Sequence, residues 1–175
     1  MRKGEFDSEM MPKPRERKPK SAQQALQSLM RLCARSEKST GDALRLMRTW
    51  GVPEAEQRGV LDKLIADRYI DNRRYAEAYT REKSTLAGWG ERKIAMQLRL
   101  KGVERDVISG VLSELMTDDG KQERLREKLQ RKLRSTKAAS DYELRGKLLR
   151  YALGLGYDYD VAAEVVGVVV DELTE

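Results

Sequence analysis

The side chains able to do chemistry in this chain are mostly cations. Arg92 and Arg99 stand seven residues apart within "GWGERKIAMQLRLKGV" (88–103), Lys101 follows them, and Lys128, Arg131, Lys132 and Arg134 crowd a second stretch. Guanidinium and ammonium groups at helical spacing offer charge-assisted donors to phosphates or carboxylates. These seven residues are therefore candidate contacts to a protein partner or to DNA. The same spacing also suits a solvated helix face with internal pairs such as Glu127–Arg131 at i, i+4. Catalytic chemistry has little to work with. The 175 residues contain no histidine and a single cysteine, Cys33, which removes disulfides, Cys/His metal sites, histidine general bases and Ser-His or Cys-His nucleophile pairs together. No G-x-x-x-x-G-K-[ST] loop is present to cradle ATP. Carboxylates alone remain, and Asp118 and Asp119 beside Gly120 read as a turn between helices. No catalytic, metal or cofactor-binding residue is assigned, and no cofactor is expected.

The cations must be carried by helices, and those helices repeat. Aligned on the glycines at 51, 102 and 156, the stretches "WGVPEAEQRGVLDKLI" (50–65), "KGVERDVISGVLSELM" (101–116) and "LGYDYDVAAEVVGVVV" (155–170) share one pattern: glycine, a short polar turn, an apolar helix. Leu61, Leu112 and Val166 become equivalent, as do Leu64, Leu115 and Val169. Upstream of each glycine lies a helix with apolar pairs at i, i+3 or i+4 (Leu44 and Met47, Ile94 and Leu98, Leu148 and Ala152), and upstream of that another helix. The glycines fit as left-handed caps ending each second helix, and Pro53 suits the start of the helix after Gly51. Ser140-Asp-Tyr-Glu143 resembles a capping box, Ser39 to Asp42 a weaker one, and Asp71 a cap. "VVGVVV" (165–170) has strand-like β-branched content, but its alignment with "VLSEL" (111–115) makes it helix. The expected architecture is all-α: three tandem three-helix repeats at 21–70, 71–117 and 118–175, stacked into an elongated, curved array whose neighbours bury one another's apolar faces.

Within the second repeat, Ile94, Ala95 and Leu98 share one helix side, Met96 and Leu100 another, and Arg92 and Arg99 fall between. Two apolar strips imply burial on two sides, as in the central layer of a stack. Trp89 reads as a packing plug at a tight turn, with a base-stacking platform as the competing reading. The net charge of +6 is unevenly spread: residues 121–150 carry eleven Lys/Arg against four Asp/Glu, whereas 151–175 carry six acids and no base. Residues 1–20 read as a flexible basic tail, because "PKPRERKPK" (12–20) lacks the apolar spacing of a packed helix. No apolar run reaches the ~18 residues of a membrane span and no secretory hydrophobic region follows the start, so a cytoplasmic protein is expected.

Residues 22–173 resemble the RecX family of bacterial recombination regulators. The most specific part is "YIDNRRYAEAY" (69–79), which matches that family's hydrophobic-Asp-acid-Arg-aromatic-Ala pattern through Ile70, Asp71, Arg73 or Arg74, Tyr75 and Ala76. The stretch from Gly88 then matches its glycine-aromatic-glycine, basic-x-Ile and Leu-x-x-Lys-Gly pattern through Gly88, Trp89, Gly90, Arg92, Ile94, Leu98, Lys101 and Gly102. Asn72 departs from it where an acid is usual, and "SEKSTGDALRLM" (36–47) departs from the first repeat's usual Glu-Leu and Lys-Leu pairs. The resemblance implies a non-enzymatic regulator, mainly an inhibitor, of the RecA recombinase. Such proteins bind the RecA filament on single-stranded DNA and limit its extension, ATP hydrolysis, strand exchange and co-protease activity. A monomer is expected; direct contact with single- or double-stranded DNA stays open. A stand-alone nucleic-acid-binding helical protein is the alternative.

Overall fold

A computed structural model describes residues 18–173. The expectation of a flexible tail falls largely on residues 1–17, outside that range. The described residues form nine α-helices and no strand: α1 (Ala22–Cys33), α2 (Thr40–Thr49), α3 (Glu54–Ala66), α4 (Asn72–Glu82), α5 (Glu91–Leu100), α6 (Arg105–Leu115), α7 (Asp118–Leu133), α8 (Asp141–Gly154) and α9 (Tyr159–Asp171). A π-helical turn, Lys83–Ala87, continues α4. The valine-rich segment is indeed helical, lying in α9. Asp118, Asp119 and Gly120 are not a turn. They open α7, where the two carboxylates lie at the positive end of the helix dipole.

Side-chain caps set four of the nine helix starts among the described residues. The hydroxyls of Ser21, Ser39 and Ser140 and the carboxylate of Asp71 accept from backbone N–H groups three residues on, which satisfies donors a helix start otherwise leaves orphaned. The second helices end alike. Gly51, Gly102 and Gly156 have φ of +71°, +76° and +91°. The N–H after each glycine donates to the carbonyl five residues back (Val52 to Met47, Val103 to Leu98, Tyr157 to Ala152), the closure that a left-handed glycine permits.

Each group of three helices packs around its own core, with the third helix lying against the first two. Leu29, Met47 and Leu64 centre the first, Ile94, Leu98 and Val111 the second, and Leu129, Leu148 and Val169 the third. The three clusters are separate, so the expected burial of one repeat's apolar face by the next is not how they are joined. The joints are polar and backbone-made. At the start of α5, Gly90 N–H donates to the Leu155 carbonyl at 2.8 Å and Arg92 N–H to that of Gly156 at 3.1 Å. At the start of α2, Gly41 N–H donates to the Lys101 carbonyl at 3.0 Å, and the Thr40 hydroxyl to that of Gly102 at 2.9 Å. The C-terminus of one second helix thus meets the N-terminus of another, bringing opposite ends of two helix dipoles together.

These approaches need glycine on the incoming side. A Cβ on Gly41 would lie 2.5 Å from the Lys101 carbonyl oxygen, and one on Gly90 would lie 2.5 Å from the backbone of Gly156. At the remaining C-terminus, that of α2, Lys20 N–H donates to the Trp50 carbonyl at 2.9 Å. This is the same acceptor position, the residue before the cap glycine, that Gly41 and Gly90 use. Lys20 thereby covers the end of α2 that no further helix reaches.

Candidate partner-binding surface

α5 owes its orientation to Ile94 and Leu98, both fully buried in the second core. Their i, i+4 spacing fixes which side of the helix faces out. The outward side carries Arg92, Met96, Arg99 and Leu100 in sequence. Here the structure corrects an expectation: Met96 is 47% exposed and Leu100 74%, so the second apolar strip is not packed in a central layer. α5 is buried on one side and free on the other, because the neighbouring repeats meet it at its ends.

Arg92 and Arg99 are both exposed. The Arg92 guanidinium lies 3.6 Å from the Asp158 carboxylate yet keeps 69% of its side chain in solvent, a pairing worth little at such exposure. Arg99 makes no ion pair or side-chain hydrogen bond among the described residues. Beside them, α5, α6 and the end of α8 enclose an open groove of about 620 Å³. Arg105 joins Arg92 and Arg99 on its rim, and Met96, Leu112 and Leu153 contribute apolar surface. Among the described residues no Asp or Glu lines it.

The other cations named from the sequence are not gathered there. Lys101 is half-buried: its ammonium lies 3.3 Å from the Asp42 carboxylate and 5.9 Å from the ring centroids of Tyr75 and Tyr79. It ties the second repeat to the first. Lys128 donates to the Leu86 carbonyl at 3.3 Å, and its methylenes lie where a side chain on Gly88 would stand. Arg131 pairs with Glu127 at 3.1 Å, the internal i, i+4 pair anticipated as the ordinary explanation. Lys132 lies 5.4 Å above the Tyr151 ring. Arg134 is the exposed C-cap of α7. The two clusters in sequence are therefore not one patch: the α7 cations are spent largely on contacts within the protein.

Trp89 is half-buried against the second core, with the Lys93 and Lys83 ammoniums 4.5 and 5.6 Å from its ring centroid. It packs, with lysines over its ring, as the packing-plug reading requires. Sequence reasoning missed Arg105 and the exposure of Met96. Arg105 had a signal of its own. It opens α6, and a cation at a helix N-terminus opposes the dipole, so its placement has no local electrostatic benefit.

Among the described residues no group of carboxylates, cysteine or histidine is arranged to hold a metal ion, and no helix is long and apolar enough to cross a membrane.

Two family models match the chain: "RecX, second three-helix domain" over residues 71–112 and "RecX, third three-helix domain" over 118–166. The chain is 31% identical over 166 residues to the regulatory protein RecX of Mycolicibacterium smegmatis, covering 93% of this chain and 86% of that protein. It is 31% identical over 158 residues to that of Mycobacterium avium, covering 89% and 90%. Among solved structures, RecX from Lactobacillus salivarius superposes with a TM-score of 0.70 at 20% identity, covering 85% of this chain and 96% of that one.

Proposed function

The chain belongs to the RecX family, and from that premise we propose that it regulates the RecA recombinase, binding the RecA filament on single-stranded DNA and limiting its growth, ATP hydrolysis, strand exchange and co-protease activity. It acts by occupying a surface and catalyses no reaction. The observation that carries the reading beyond family membership is the outward side of α5, where Arg92 and Arg99 stand in solvent with no buried pairing to satisfy them. Exposed guanidinium groups suit the carboxylates or phosphates of a nucleoprotein filament.

The test is RecA's DNA-dependent ATPase, titrated with this protein, alongside binding to single-stranded DNA with RecA left out. The expected outcome is a falling ATPase rate, with inhibition weakened about tenfold by Arg92→Glu combined with Arg99→Glu, a change expected of charge reversal at an interface. Far-ultraviolet circular dichroism and the melting temperature should not move, since both side chains are exposed. An ATPase rate untouched at saturating protein would end this reading. Tight, steeply salt-dependent binding to bare DNA without RecA would replace it with a nucleic-acid-binding role.

A further inference from the structure

The groove enclosed by α5, α6 and the end of α8 has a composition that selects among partners. It is lined by Arg92, Arg99 and Arg105 together with Met96, Leu112 and Leu153, and among the described residues no carboxylate lines it, Asp158 standing beside it 3.6 Å from Arg92. Met96 and Leu153 are 47% and 38% exposed and Leu100, the last residue of α5, 74%. Burying such apolar surface is favourable only if the occupant is itself apolar at those points. A run of phosphates would satisfy the arginines but leave the apolar floor uncovered. A protein segment can do both, and a volume of about 620 Å³ accommodates several side chains. Methionine adds a flexible, polarisable surface suited to docking an irregular apolar face.

We infer that this groove is the docking site for an acidic, amphipathic segment of the protein partner, with apolar side chains seated on Met96, Leu112 and Leu153 and carboxylates paired to Arg92, Arg99 and Arg105. The inference rests on the proposed role in filament binding and names the surface that performs it. A second copy of the chain is the weaker occupant. Three of the acidic residues near the C-terminal end of this chain are committed internally: Glu172 pairs with Arg126, Asp171 with Arg145, and Glu164 accepts from Gln122.

The two parts of the inference separate experimentally. Full-length Met96→Asp attacks the apolar half of the groove and Arg99→Glu the charged half, and Arg35→Glu is a charge-matched control in the first repeat. The probe is the RecA filament assembled on single-stranded DNA, with affinity read by fluorescence anisotropy of the labelled protein. Met96→Asp and Arg99→Glu should each weaken binding about tenfold or more, as central interface residues do, while Arg35→Glu stays within about twofold. Loss with Arg99→Glu but not Met96→Asp would overturn the amphipathic segment in favour of a purely ionic contact. An equal loss of affinity for bare DNA would assign the groove to nucleic acid, and concentration-dependent dimerisation abolished by the same changes would assign it to a second copy. Either overturns the inference. Unchanged affinity in both variants refutes the groove alone, whereas a wild-type protein that does not bind the filament refutes the functional reading beneath it. Circular dichroism of each variant guards against misfolding.

Discussion

Asp42 and Lys101 show how the role of a single charge depends on where the chain folds it. Asp42 is 6% exposed and touches both Arg45 at 2.8 Å and Lys101 at 3.3 Å. Burial works against its ionised form, but the Lys101 ammonium, a contact with Ser39 and the Arg45 guanidinium outweigh it, holding the carboxyl below its usual value. Its contribution to stability is therefore present in full above the ordinary carboxylate pKa of about 4 and disappears as pH falls through the lowered folded-state value. Asp42→Asn should be less stable at neutral pH by about 1–2 kcal/mol, and the gap should close progressively below pH ~4. Urea midpoints measured from pH 6 to pH 2 test this; a constant gap would mean that the pair does not titrate with folding. Lys101, read from the sequence as a candidate partner contact, is thus engaged in holding two repeats together. Arg99, two residues away, has no such partner among the described residues.

At the scale of elements, glycine has two distinct jobs that spacing alone did not separate. Gly51, Gly102 and Gly156 end helices, a role legible from the turn-then-helix pattern that follows each one. Gly41 and Gly90 instead admit the end of another helix, and nothing local in "STGDAL" or "GWGERK" announces it. Gly90 has φ −81° and ψ 169°, which any residue adopts, so its requirement is purely steric. Gly90→Ala would force a Cβ to within 2.5 Å of the Gly156 backbone and should destabilise by about 1–3 kcal/mol, the cost of overpacking a rigid contact. Gly59 is the control: it lies inside α3 with nothing within 4 Å of the position its Cβ would take. Gly59→Ala should stabilise by roughly 0.4–1 kcal/mol. Thermal melts of the two variants should shift in opposite directions.

At the scale of the molecule, three separate cores joined by a few backbone hydrogen bonds and by polar side-chain contacts such as Lys101–Asp42 and Lys121–Glu91 make a chain whose stability is distributed among its repeats. Leu148 is 1% exposed at the centre of the third core, and Leu148→Ala should cost about 2–5 kcal/mol there. The loss should remain local. Hydrogen exchange is expected to accelerate across α7 to α9 while α1 to α6 keep their protection; uniform loss along the chain would indicate one cooperative unit instead. Charge follows the same division. The basic stretch 121–150 and the acidic stretch 151–175 suggested a molecule polar along its length, yet both lie within the third repeat. There Arg126 meets Glu172 and Arg145 meets Asp171. Much of the contrast is cancelled inside one helical bundle, which leaves the arginine-rimmed groove as the more distinctive electrostatic feature.

The sequence by itself determined the helices, their threefold repetition, the capping glycines and the family, because each is written in short-range spacing: i, i+4 apolar pairs, a hydroxyl three residues before an amide, a glycine before a turn. It also predicted, from the same periodicity, the side of α5 that Ile94 and Leu98 bury, though not that the Met96 and Leu100 side stays exposed. Only the tertiary structure decided which cations are free and which apolar residues stay in solvent. Whether Met96 is buried, or Lys101 paired, depends on which distant backbone arrives beside it. That is set by how helix ends meet across 61 and 66 residues of chain, as Gly41 meets Gly102 and Gly90 meets Gly156. Such contacts leave no periodic trace, since one missing Cβ at each is all that they require.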